Sequence, residues 1–120
     1  MELADIFEDS EDLVDFQPGD LVFEEGSDGH LMWVVMSGEV RLSLRGETIG
    51  VEHRGGIIGE MALLNSSERS ATGKATKPTV LAPIDEESFL LLIKHRPEFS
   101  LHVMNVLADR LRLANELLSA

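Results

Sequence analysis

The chain has 120 residues, 43% hydrophobic and 27% charged, with no cysteine and a formal net charge of −12. That length fits one domain with a real core and leaves no room for two lobes around a cleft. The missing cysteines exclude a disulfide framework or a thiolate metal site, and the charge disfavours nucleic acid and anionic lipid, since no basic run in the sequence offsets it. No apolar run approaches the ~20 residues that cross a bilayer. The start, MELADIFEDSEDL, lacks the basic and then apolar order of a secretory signal. A cytoplasmic chain without direct membrane insertion is therefore expected.

Charge is unevenly spread. Eleven of the 22 acids (Glu2, Asp5, Glu8, Asp9, Glu11, Asp12, Asp15, Asp20, Glu24, Glu25 and Asp28) precede residue 30, where there is no Lys or Arg. Residues 1–12 are accordingly expected to form a solvated, frayed segment. From residue 13 to 84, short apolar runs alternate with glycine-bearing turns, the pattern of a sandwich or barrel. Gln17-Pro18-Gly19-Asp20 suits a tight turn, with proline presetting φ at one central position and glycine accepting positive φ at the next. Leu21 to Glu24 follows as a strand. Leu31 to Met36 is nearly continuous in apolar residues and should be buried on both faces, with Trp33 as core or ligand-adjacent packing. After Ser37-Gly38, Glu39 to Arg45 alternates, with Val40, Leu42 and Leu44 facing inward. Arg45-Gly46 turns the chain, Thr48 to His53 returns, and two more strands are expected near Ser70 to Thr76 and Thr79 to Ile84.

The periodicity changes after Ile84. Asp85 caps a short helix through Lys94, and Pro97 opens a second helix to about Leu118. The second helix carries one stripe at Met104, Leu107, Leu111, Ala114 and Leu118, and another at Val103, Val106, Leu113 and Leu117. Two stripes imply two burial partners: the body of the domain, and a bound ligand or a second copy of the chain. The expected organisation is one domain over 1–120, with an acidic segment at 1–12, strands at 13–84 and helices at 85–120.

The chemistry concentrates in GEMALLNSSERSA, from Gly59 to Ala71. A helix start preceded by glycine offers free N–H groups and partial positive charge to an anion. Arg69 can add two parallel hydrogen bonds, each about 1.5 to 3 kcal/mol when charge-assisted. Glu60 cannot hold an anion, but its carboxylate can accept from a hydroxyl. A ligand joining a singly charged phosphate to a sugar hydroxyl satisfies the set. An ion pair between Glu60 and Arg69 is the plainer alternative. The four histidines, His30, His53, His95 and His102, lack the His-x-His spacing of jelly-roll metalloenzymes and read as surface residues. Ser66, Ser67 and Ser70 have no adjacent base for nucleophilic catalysis.

Gly59-Glu60-Met61-Ala62-Leu63, five residues, then Arg69-Ser70-Ala71 resembles the phosphate-binding cassette of the cyclic nucleotide-binding domain family. That family includes the bacterial catabolite activator protein, cyclic-nucleotide-dependent kinases and cyclic-nucleotide-gated channels. The likeness extends through Phe16 to Asp20, Glu25-Gly26, Val34 to Val40, and Arg96-Pro97-Glu98. Asn65-Ser66-Ser67, Ile58 and Gly73 depart from the family's usual residues without removing a contact group. The resemblance implies a mainly β fold, a β jelly roll or double-stranded β-helix, with a short N-terminal helical segment and two C-terminal helices. It implies cAMP or cGMP as ligand, with no cofactor, no metal and no catalysis. Glu60 would take the ribose 2′-hydroxyl and Arg69 the exocyclic phosphate oxygens. Backbone groups of Gly59, Met61, Ala62, Ser70 and Ala71 and the Ser70 hydroxyl would line the phosphate. Arg110 and Asn115 are the polar positions of the last helix expected to meet the base. The expected partners are a second copy through the C-terminal helix, or a channel, transporter or kinase effector in a longer chain; with no helix-turn-helix after the last helix, direct control of transcription is not expected. A ligand-free interaction module of the same fold and a metal-dependent cupin-type enzyme are the alternatives.

Overall fold

The computed structural model describes residues 2–61 and 68–119, apart from the side chains at 114 and 117–119. Two compact units emerge, residues 1–86 and residues 87–120. A 3-10 turn over Leu3–Phe7 precedes eight strands: β1 Val14–Phe16, β2 Leu21–Phe23, β3 Met32–Ser37, β4 Val40–Leu44, β5 Glu47–Glu52, β6 Ile57–Ile58, β7 Thr72–Ala75 and β8 Thr79–Ile84. Two helices follow, α1 Glu86–His95 and α2 Pro97–Ser119.

The strands form two four-stranded antiparallel sheets, ordered β1-β8-β3-β6 and β2-β7-β4-β5. This interleaving of early and late strands is a jelly roll: each sheet pairs strands from both ends of the chain. Trp33, Val35, Val40, Leu42, Ile58 and Leu81 form the core, with Phe16, Val22, Phe23 and Leu31 packed around them. Phe16 meets Trp33 edge to face at 5.9 Å. The other face of β3 is buried as well. Val34 opposes Ile57 and Ala82, and Met32 opposes Ile84, all at 0 to 1% exposure. Burial on both faces is what the unbroken apolar run required.

The turns follow their residues. Asp20 N–H donates to Gln17 O at 2.9 Å across Pro18-Gly19, and Gly19 has φ +93°. Arg45 and Gly46 both take positive φ, giving a β4–β5 hairpin whose twist suits the flanking strands. Leu44 corrects the expected alternation: it is 39% exposed, because it sits on the last rung of β4, opposite Glu47 and beside the turn.

The N-terminal acids also depart from expectation. Leu3 and Ala4 are buried, and the 3-10 turn lies on β3. Arg54 donates to Met36 O at 2.9 Å and forms ion pairs with Glu2 and Asp5, each at 3.0 Å, and with Glu8. The Glu8 hydrogen bond leads in holding the Arg54 pKa above its usual value. Part of the acidic head is thus docked by a cation about fifty residues further along the chain.

At the opposite hairpin, Gly38 at φ +90° abuts Pro78 O and Thr79, whose Cα a Cβ at this position would approach to 2.7 Å. Thr79, 2% exposed, accepts from Glu39 N–H and donates to the Lys77 carbonyl. Glu39 accepts from Thr76 and pairs with His53, and these hydrogen bonds hold its carboxyl below its usual pKa.

In the helical unit, Phe89 and Phe99 meet edge to face at 5.7 Å, and Val103 is 4% exposed. Met104, Leu111 and Leu113 of the expected stripes are 60%, 63% and 44% exposed. Val103 is thus covered, whereas Leu113 of the same expected stripe and Met104 and Leu111 of the other are exposed. Ala114, Leu117 and Leu118 lie outside the described side chains. Among the described residues, no helix is long and apolar enough to cross a membrane.

Gly38→Ala adds a Cβ where backbone and threonine already stand and forces an L-residue to positive φ, so a loss of about 2 to 4 kcal/mol is expected by urea denaturation. Gly46→Ala meets nothing within 4 Å and should lose only about 1 kcal/mol.

Candidate anion and hydroxyl site

The connection from β6 to β7 leaves one sheet and enters the other, and the predicted cassette lies on it. Gly59 directly follows Ile58, whose side chain is in the core, and its φ of +74° turns the chain away from β3. Glu60 follows at 2% exposure. At the far end the backbone of Arg69 is clamped by the β2–β3 loop: Arg69 N–H donates to Ser27 O at 2.8 Å, and Gly26 N–H donates to Arg69 O at 2.9 Å. Asp28 and Glu68 form an isolated bridge alongside.

The Arg69 side chain is 7% exposed. Nη1 donates to Gly59 O at 3.1 Å, which ties the two ends of the connection together. The guanidinium lies over the Phe23 ring, 4.7 Å from its centroid. Its Nε is buried without a hydrogen-bond partner among the described residues. Burial pushes the Arg69 pKa below its usual range, the direction expected of a cation taken out of water. The Arg69 side chain is thus folded back behind its own loop, bonded to Gly59 and laid over Phe23.

Two glycines make room for it. A Cβ on Gly29 would come within 2.5 Å of Nη2 and 2.7 Å of Cζ, and a Cβ on Gly59 within 2.7 Å of Nη1 and 3.2 Å of Leu31 O. Gly59 opens the motif, whereas Gly29 and Phe23 lie outside it. Their signal was an aromatic inside the core pattern and a glycine in an ordinary loop; only the fold brings them against Arg69.

The other predicted residues distribute as follows. Met61 is 39% exposed, Ser70 is exposed and Ala71 half-buried. Ala62 and the loop Asn65-Ser66-Ser67 lie outside the described residues. Arg110 and Asn115 belong to the helical unit, on α2, half-buried and exposed respectively. All four histidines are exposed, and among the described residues no group of three metal-ligating side chains is assembled.

A profile described as the cyclic nucleotide-binding domain matches residues 13–96. The chain belongs to the cyclic nucleotide-binding domain family. Among solved structures, it is similar to the catabolite activator protein of Thermus thermophilus, with 33% identity and a TM-score of 0.79, covering 89% of this chain and 53% of that one. It is also similar to PfPKA-R with cAMP bound, with 27% identity and a TM-score of 0.75, covering 88% of this chain and 36% of that one. Among curated relatives, a cGMP-dependent protein kinase of Eimeria tenella is 38% identical over 72 residues, which are 60% of this chain and 7% of the kinase. The chain thus spans about half, or much less, of the length of these proteins. The two-sheet jelly roll with two helices is the architecture expected of this cyclic nucleotide-binding family.

Proposed function

We propose that the chain is a regulatory sensor that binds a cyclic nucleotide, cAMP or cGMP, and carries out no chemistry on it. The observation that carries this reading is Arg69: a guanidinium at 7% exposure, with a buried Nε lacking a partner among the described residues, on the same connection as the buried Glu60. A buried guanidinium donor left unfilled is costly, and a phosphate seated against it offsets that cost. In this reading Arg69 holds the phosphate oxygens. Backbone groups of Gly59, Met61, Ala62, Ser70 and Ala71 and the Ser70 hydroxyl complete the cradle, and Glu60 accepts from the ribose 2′-hydroxyl. A linear nucleotide carries a second phosphate charge that the single arginine does not match, and its phosphate is not tied back to the sugar. The cAMP bound to PfPKA-R and the kinase named for cGMP support either base; we favour cAMP.

The strands at 13–84 and the helices at 85–120 then work as one domain. Arg110 and Asn115 of α2 meet the base, and binding shifts the population toward a state in which this helix is drawn over the ligand. The exposed Leu101, Met104 and Leu111 favour a second copy of the chain against the open side of α2. A channel, transporter or kinase effector is the other partner consistent with a chain that spans about half or less of the length of its relatives. A cytoplasmic site of action fits the ligand.

Thermal melting with cAMP, cGMP and AMP tests the assignment. At a ligand concentration 100-fold above Kd, stabilisation is about 2.7 kcal/mol, a rise of roughly 10 °C for a domain of this size. A rise is expected with a cyclic nucleotide and not with AMP, and Arg69→Ala should remove it while leaving the ligand-free protein folded. A folded protein that shows no rise with either cyclic nucleotide contradicts the reading, and an Arg69→Ala chain that unfolds returns Arg69 to a structural role. Sedimentation velocity should show a dimer that Leu111→Glu converts to monomer; a wild-type monomer at high micromolar concentration leaves the effector as the partner.

A further inference from the structure

The second sheet places one residue from each strand in a single row. Leu21 of β2 opposes Lys74 of β7, Lys74 opposes Arg41 of β4, and Arg41 opposes Val51 of β5. Directly opposed residues in an antiparallel ladder share a face. Here that face is the outer one, because Leu42 and Gly73, one step along their strands, are buried on the core side. Leu21 and Val51 are 48% and 43% exposed, Arg41 is exposed and Lys74 half-buried.

Two cations directly opposed across neighbouring strands repel and weaken the pairing. In a chain with 22 acids and ten bases, carboxylates to neutralise them are plentiful. Two other surface cations of the jelly roll are neutralised in this way: Arg54 gathers Glu2, Asp5 and Glu8, and Lys77 reaches Glu39. Among the described residues, Arg41 and Lys74 form no ion pair. The row is thus an apolar, basic, basic, apolar strip that costs the free protein stability and that an acidic partner would relieve.

We propose that this face docks an acidic amphipathic helix of a protein partner, with two carboxylates on Lys74 and Arg41 and apolar side chains on Leu21 and Val51. The dimensions agree. Three strand spacings of about 4.8 Å make a row of roughly 14 Å, and helix positions i, i+3, i+7 and i+10 span about 15 Å at about 1.5 Å per residue. A nucleic acid or an anionic membrane matches the strip less well, since neither gives the exposed Leu21 and Val51 a specific counterpart.

The test uses a labelled synthetic helical peptide with leucine at i and i+10 and glutamate at i+3 and i+7, titrated into the full chain by fluorescence anisotropy. Its glutamine counterpart and phosphatidylserine vesicles are run beside it. The glutamate peptide should bind, more weakly at higher salt, and at least about tenfold better than the glutamine peptide. Lys74→Glu should lose at least about tenfold in affinity yet melt higher than the wild type, because attraction replaces repulsion across the ladder. Arg41→Gln, which only removes one charge, should weaken binding several-fold, and both variants should keep any response to cyclic nucleotide. Equal binding of the two peptides, no binding of the glutamate peptide, a preference for vesicles, or a Lys74→Glu chain that melts lower each overturns the proposal.

Discussion

Everything at the candidate site depends on one cation kept out of water. Arg69 could have stayed in solvent, as most arginines do, but its backbone is pinned between Gly26 and Ser27 and its side chain is folded back beneath Gly59. Among the described residues a carbonyl and a phenyl ring stand against its guanidinium, and Nε keeps no hydrogen-bond partner. In the proposed reading, that buried Nε–H is the donor an anion would fill.

The jelly roll makes this arrangement possible through its order of pairing. Strands β6 and β7 follow each other in sequence but lie in different sheets, so the connection between them crosses from one sheet to the other. The β2–β3 loop passes the same end of the roll and supplies Gly26, Ser27 and Gly29 to Arg69. Two connections far apart in the chain thus close on one side chain, while the core around Trp33 and Ile58 fixes the strands from which both depart. The tight hairpin at Gly38 against Thr79 and the clasp of Arg54 on the N-terminal acids hold other parts of the same roll.

Much of this was legible from residues alone, for physical reasons. Strands β3, β4 and β8 announce themselves by apolar runs or alternation, and Pro18-Gly19 and Arg45-Gly46 by the dihedrals that turns demand. The helices follow from Asp85, Pro97 and a change of period. The spacing of Gly59, Glu60 and Arg69 carries the resemblance, and the fold places Glu60 and Arg69 buried on one connection. Other features depend on distance in sequence. Leu44 keeps the alternation yet stands exposed at a strand end. Glu2, Asp5 and Glu8 look like a solvated run until Arg54 arrives, and Phe23 and Gly29 gain their role only when Arg69 is laid against them. Arg41 and Lys74 are separated by more than thirty residues, so their repulsion exists only in the folded sheet.

The central claim, that Arg69 is a buried cation reserved for a cyclic phosphate, is tested most directly by its own side-chain resonance. In a proton–nitrogen correlation spectrum optimised for arginine, the Nε–H signal of Arg69, assigned by its loss in Arg69→Lys, should shift markedly on addition of stoichiometric cAMP or cGMP as the group gains a charged acceptor. It should stay in place with AMP. An Nε–H signal that does not move while the protein binds cyclic nucleotide elsewhere, or that responds equally to AMP, would contradict the account.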